Sequence, residues 1–169
     1  WTAREAMQAT GGTAVGDWSA NGVSIDSRSS KKGDLFVAIP GPNTDGHDYV
    51  AAALDQGCSA AVVSRRPEGV DDDSRLLLVA DTTVALQELG AAARDRASAR
   101  VMAVTGSVGK TGTKDALYKV LNSQTRAHCS ERSYNNQWGV PLSLARMPRD
   151  TTFGIFELGM NHPGEILDL

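Results

Sequence analysis

The chain has 169 residues, 41% of them hydrophobic and 22% charged, with a formal net charge of −3. That length holds one domain or two small ones around a real core. The mildly acidic balance argues against a nucleic-acid or membrane partner, and no apolar run reaches membrane-spanning length and no signal-peptide pattern opens the chain.

The first half reads as a small α/β unit. Val23–Ile25 alternates like a short strand, and Asp34–Ile39 gives a second strand closed by the turn Pro40-Gly41-Pro42-Asn43. Gly46–Gln56 has helical spacing, with Tyr49, Ala53 and Leu54 on one side and Gly57 as its stop. Ala60–Ser64 and Leu76–Ala80 are apolar enough to be buried strands, joined by a charged surface loop over 67–75. Asp81-Thr82 then caps a helix running to about Ser98, with Leu86, Leu89, Ala93 and Ala97 on one face. The best domain boundary is Ser98-Ala99-Arg100, which divides the chain into 1–98 and 99–169. From residue 100 the pattern restarts as strand, helix, strand, and a parallel sheet is expected. The further elements are a strand over Thr125–Cys129, a helix over Val140–Met147 with Pro141 in its first turn, a strand over Thr152–Leu158, and the start of a helix at Gly164–Leu169. The chain opens on Trp1 and ends on Leu169 inside that last pattern, so a piece of a longer protein is expected. Cys58 and Cys129, the two cysteines, form no C-x-x-C pair and read as reduced thiols of a reducing cytoplasm.

The most informative stretch is Val101–Thr113, V-M-A-V-T-G-S-V-G-K-T-G-T. An apolar run stops at Gly106-Ser107-Val108-Gly109, and Lys110, Thr111 and Gly112 follow at the start of a helical pattern in which Ala116, Leu117, Val120 and Leu121 recur. Glycines let a turn aim its N–H groups at one point, and a helix N-terminus adds more N–H groups and a positive dipole end. Lys110 supplies a cation, and the Thr111 hydroxyl is where Mg²⁺ would sit against the β- and γ-phosphates of a nucleoside triphosphate. The longer phosphate-loop pattern has a Gly where this chain has Val104, so the match is to a shorter T-G-x-x-G-K-T form. Joining turns rich in Gly and Ser are common, but the Lys-Thr pair directly after the last Gly is chemically specific.

A second candidate is the apolar run ending in Glu157, with Gly159 two residues later. Ligands of open α/β sheets bind beyond the carboxyl ends of strands, so Glu157 could reach the same Mg²⁺. A helix N-cap or a solvated strand end is the plain alternative. Asn135 and Asn136 suit a turn or hydrogen bonds to a polar ligand, and His162 suits a turn, a substrate contact or the metal region. Asp26-Ser27-Arg28 ends the Val23–Ile25 strand, Asp45-Gly46-His47 opens a helix after the Gly/Pro-rich turn, and both could take an anionic or sugar-like ligand.

Together these blocks resemble the Mur ligase family of cell-wall peptide synthetases. D-S-R at 26–28, G-D-L-F-V-A at 33–38 and D-G-H at 45–47 are similar to its UDP-sugar-binding first domain, and V-T-G-S-V-G-K-T at 104–111 to its ATP loop. The resemblance implies a small N-terminal α/β substrate domain followed by a truncated P-loop parallel-sheet ATPase domain. It also implies ATP and Mg²⁺ as cofactors, an acyl phosphate intermediate, a cytoplasmic setting and a monomer. Ser27, Arg28, Gly46, His47, Asn135, Asn136 and His162 would contact substrate, Lys110 and Glu157 would act in catalysis, and Thr111 and Glu157 would hold the metal. The blocks at 107–114, 134–145 and 157–166 resemble the member that joins D-alanyl-D-alanine to UDP-N-acetylmuramoyl tripeptide. The member adding the third peptide residue usually has Asn in the loop and Ser-Ser-His after the acidic residue, where this chain has Val108 and Gly-Met-Asn-His. A P-loop small-molecule kinase and a non-catalytic UDP-sugar-binding module are the remaining readings.

Overall fold

A computed structural model describes residues 1–131 and 133–160. The helix expected over 164–169 therefore lies outside the described residues, as does His162.

The chain opens with α1 (Ala3–Thr10), started by a capping box in which the Thr2 hydroxyl accepts from the Glu5 amide and the Glu5 carboxylate accepts from the Thr2 amide. β1 (Thr13–Ala14), β2 (Gly22–Ser24) and β3 (Asp34–Val37) follow. A 3-10 turn (Gly46–Tyr49) leads into α2 (Val50–Asp55), then come β4 (Ala60–Val63), a second 3-10 turn (Asp73–Arg75), β5 (Leu76–Leu78) and α3 (Thr82–Arg96). These strands form one sheet in the order β1-β5-β4-β3-β2, parallel except for β1. β3 and β4 are buried at every position, which explains why both read as unbroken apolar runs rather than alternating ones. Phe36, Ala38, Ala61 and Val63 pack with Val50, Ala53 and Leu54 of α2. Burying a side chain such as Phe36 contributes about 1.5–3 kcal/mol.

After α3 the chain builds β6 (Arg100–Val104), α4 (Lys110–Asn122), β7 (Ala127–Cys129), α5 (Gly139–Ala145) and β8 (Phe153–Glu157). A separate, fully parallel sheet has the order β6-β8-β7, with β8 central. The chain divides into two compact units, Trp1–Leu89 and the residues from Gly90 onward, so the division falls inside α3 rather than at the Ser98 point read from the sequence.

Four details depart from the sequence reading. α1 and β1 carry no counterpart in it. The helix read over 46–56 opens with a 3-10 turn, which winds more tightly and shifts the phase; Tyr49 is thereby 42% exposed, and Val50 takes the buried place. In α4, Ala116 and Val120 are exposed, while Lys114, Leu117, Tyr118 and Leu121 face inward to different degrees. Val70, in the loop read as surface, is buried in the first core.

Candidate functional site

Parallel pairing fixes the level of the phosphate-loop candidate. Val104 is the register partner of Glu157, and the Leu158 amide donates to the Val104 carbonyl at 2.9 Å. The loop leaving β6 and the carboxylate ending β8 therefore stand side by side at the carboxyl edge of the sheet. Within the loop, Gly106 has φ +144° and Gly109 φ +76°, both in the left-handed range that favours glycine. Gly109 is the N-cap of α4 and provides no side-chain cap, so the first-turn N–H groups are not capped in that way. Val108 lies at the exposed tip, and Lys110 Nζ donates to the Gly106 carbonyl at 2.7 Å.

Glu157 is 1% exposed. Its Oε2 accepts from the Thr111 hydroxyl at 2.8 Å, its Oε1 from Asn135 Nδ2 at 2.9 Å, and its amide donates to Ser130 Oγ at 3.0 Å. Ser133 Oγ lies 3.4 Å from Thr111 Oγ1. Of the residues read from sequence, the fold thus brings Lys110, Thr111, Asn135 and Glu157 into one place. Asn136 has a different partner: its side-chain oxygen accepts from the amides of Trp138 and Gly139 at 3.2 and 2.9 Å and so organises the start of α5. A hydroxyl and a carboxylate are hard oxygen donors, the kind Mg²⁺ takes. Among the described residues, no cluster of three or more His, Cys, Asp or Glu could hold a metal.

The first unit arranges its candidates on loops after β2 and β3, which are parallel neighbours, so both loops leave the same edge. Ser27 is buried. Arg28 is held by Asp26, Nε to Oδ1 at 2.9 Å and Nη2 to Oδ2 at 2.7 Å, and this pairing lowers the Asp26 pKa below its ordinary value. The Gly46 amide donates to the Ile39 carbonyl at 3.0 Å, and a Cβ at position 46 would lie 2.6 Å from the Ile39 nitrogen, so the two backbones touch.

His47 is buried between two partners. Asp45 Oδ1 accepts from the His47 amide at 2.9 Å and lies 2.7 Å from Nδ1, while the Ser64 amide donates to Nε2 at 2.9 Å. The Ser64 donation requires a bare Nε2, which assigns the proton to Nδ1. Asp45, His47 and Ser64 are the residue types of a nucleophile triad, with Ser64 Oγ 3.1 Å from Nε2. The nitrogen that would take the serine proton is already engaged by the Ser64 main chain, so the arrangement bolts the 45–47 loop to the end of β4. The Asp45 carboxyl is held well below the usual carboxylate range, first by the His47 amide and then by Arg65.

Sequence reasoning missed Lys114, Ser130 and Ser64. A lysine at a helix position and serines after strands carry no signal until the fold shows what they touch. The thiols of Cys58 and Cys129 are both pushed up by burial, which keeps them protonated.

Comparison with known proteins follows this layout. The Mur ligase family, catalytic domain, matches residues 19–108, and the Mur ligase middle domain matches residues 104–169. A UDP-N-acetylmuramoyl-tripeptide–D-alanyl-D-alanine ligase of Rickettsia prowazekii is 41% identical over 169 residues, which is 100% of this chain and 37% of that protein. The structure of a UDP-N-acetylmuramoylalanyl-D-glutamyl-2,6-diaminopimelate–D-alanyl-D-alanyl ligase from Acinetobacter baumannii superposes with a TM-score of 0.83 at 36% identity, covering 99% of this chain and 38% of that one. A MurF ligase from Thermotoga maritima in complex with ADP gives 0.67 at 31% identity, covering 88% of this chain and 34% of that one. The chain thus spans little more than a third of the length of such relatives. With both family matches lying end to end along it, the chain belongs to the Mur ligase family.

Proposed function

We propose that this chain supplies the UDP-sugar-recognising part and the ATP-phosphate site of a ligase that adds D-alanyl-D-alanine to UDP-N-acetylmuramoyl tripeptide. The observation that carries the nucleotide reading is the Thr111–Glu157 pair, hydroxyl on carboxylate at 2.8 Å, beside a glycine loop that opens a helix. The substrate reading is supported by the names of the relatives and by the loops bearing Ser27, Arg28, Gly46 and His47.

A carboxylate is a poor acyl electrophile, and amide formation from it needs activation. In this reading the γ-phosphoryl group passes from ATP to the substrate carboxylate, ADP leaves, and the D-alanyl-D-alanine amine displaces phosphate to form the amide. The protein contributes positioning and charge. The loop amides from Gly106 to Gly112 cradle the phosphates. Lys110, now on the Gly106 carbonyl, would pair with a phosphate oxygen. Thr111 and Glu157 would hold Mg²⁺, which would supply neutralisation of phosphate charge. Asn135 orients the Glu157 carboxylate, while Asn136 fixes the segment next to it. The two thiols suit work in the cytoplasm.

The test titrates wild type and Lys110→Ala with ATP and Mg²⁺ by calorimetry. The variant should bind at least about tenfold more weakly, a loss of about 1.4 kcal/mol. Equal affinities would refute the phosphate assignment. Chemical shifts with UDP-N-acetylmuramoyl tripeptide should cluster at Ser27, Arg28, Gly46 and His47, and shifts confined to other residues would refute the substrate assignment.

A further inference from the structure

We infer that Lys114 is a positioning residue for the metal–nucleotide site, acting through Ser130 on the main chain that presents Glu157. The inference rests on the reading that Thr111 and Glu157 hold Mg²⁺.

Lys114 is 2% exposed and ranks among the largest fully buried side chains. Lysine is almost never buried so completely, because taking an ammonium out of water costs several kcal/mol even after relaxation. Leu117 and Leu121 continue the inward side of α4, and an uncharged side chain at 114 would avoid that cost. The charge is therefore retained for what it touches. Nζ donates to the Ser130 carbonyl at 2.7 Å and lies 3.3 Å from Asp115 Oδ1, on a side chain that is 55% exposed.

Ser130 is 1% exposed, and each of its polar groups is engaged. Its amide donates to the Ile155 carbonyl at 3.1 Å, its Oγ accepts from the Glu157 amide at 3.0 Å, and its carbonyl takes the Lys114 ammonium. The residue sits one position past the β7 ladder, whose last register pair is Cys129 with Ile155. It is a junction between α4 and the end of β8. The segment that follows returns to the same carboxylate: Asn135 Nδ2 reaches Glu157 Oε1, and the Asn135 carbonyl accepts from the Gly159 amide at 2.7 Å. Lys114 thus anchors the point from which two supports of Glu157 depart. It lies one helical turn after Lys110, on the same side of α4. Lys110 meets the phosphates at the surface, and Lys114 fixes the floor beneath the metal. Groups that orient a metal ligand from behind change metal affinity by about 10–100-fold when removed.

The experiment uses the full chain with Lys114→Met, which keeps most of the side-chain length without charge, with Ser130→Ala, and with the double variant. ATP affinity is measured at saturating Mg²⁺ and in EDTA, and their ratio gives the gain due to metal. Lys114→Met should cut that gain about tenfold and leave the EDTA affinity unchanged. Ser130→Ala should cut it in the same direction, and the double variant should be no worse than Lys114→Met, since both substitutions act on one path. The backbone amide resonance of Glu157 should move in both single variants. A side chain that only packs would shift the melting temperature and leave the metal gain intact. If Lys114→Met does not fold, Ser130→Ala and its Glu157 resonance carry the test. A normal metal gain in wild type with unchanged gains in the folded variants overturns the role of Lys114 alone. No metal gain in wild type overturns the Mg²⁺ reading and this inference with it.

Discussion

Replacing Glu157 by Gln separates what the carboxylate does for folding from what it does for a ligand. The substitution keeps shape and length. The glutamine carbonyl can accept from Asn135, and its NH₂ can donate to the Thr111 hydroxyl, whose proton then turns toward Ser133 Oγ at 3.4 Å. Two charge-assisted hydrogen bonds become neutral ones, a loss of about 1 kcal/mol each. Against this, the desolvation of a 1% exposed carboxylate disappears, which is worth several kcal/mol. The second effect is the larger, so Glu157→Gln should be more stable than wild type by about 1 kcal/mol in EDTA, or about 2–4 °C in melting temperature. The same substitution should lower Mg²⁺-dependent ATP affinity at least about tenfold. Stability gained as ligand binding is lost is the pattern of a group kept for function. Unfolding by urea in EDTA and calorimetric titration read the two effects. A variant destabilised by more than about 1 kcal/mol would show instead that the carboxylate is a structural acceptor, and undiminished Mg²⁺-dependent binding would remove it from the metal site.

Three further outcomes follow from the first unit and from β7. Asp45→Ala removes the N-cap of the 46–49 turn and strips the buried His47 Nδ1–H of its acceptor, and should cost about 2–3 kcal/mol in urea unfolding; a cost under about 0.5 kcal/mol would deny the bolt. Because the folded Asp45 pKa lies below its unfolded value, its contribution is present above about pH 4 and is lost as pH falls, and Asp45→Asn should flatten that acid limb of the stability curve. His128 is held below the ordinary imidazole pKa, mainly by burial, with Nε2 2.8 Å from the Ser143 carbonyl. Wild type should therefore lose stability as pH falls from about 6.5, and His128→Gln should show a smaller drop in melting temperature between pH 7.5 and 5.5; equal drops would refute the assignment.

The phosphate loop was legible because glycine, lysine and threonine at fixed spacing have few other uses together. Glu157 was legible as a carboxylate ending an apolar strand, and strand order then put it beside Val104. β3, β4 and β8 could be read because burial on two faces leaves apolar runs that do not alternate. α1 escaped notice although Thr2 and Glu5 carry its capping-box spacing, since eight residues give little periodicity. Tyr49 faced the wrong way because a 3-10 turn changes the residue count per turn before α2. The roles of Asn135 and Asn136 could not be told apart: adjacent, chemically identical side chains diverge only once Glu157 and α5 flank them. Lys114 was invisible for the opposite reason, since a lysine on a helix reads as solvated and its burial is set by Ser130, sixteen residues later.

The Lys110 ammonium resting on the Gly106 carbonyl also bears on how quickly a site of this kind can respond. A lysine free in water surrenders about 1.5–2 kcal/mol of rotamer freedom when it is fixed on a ligand. Here part of that ordering has already taken place, because the side chain is curled over its own loop. An arriving phosphate exchanges one oxygen acceptor for another a short distance away. The search for the right rotamer is removed from the encounter, and the loop meets its anion already cocked.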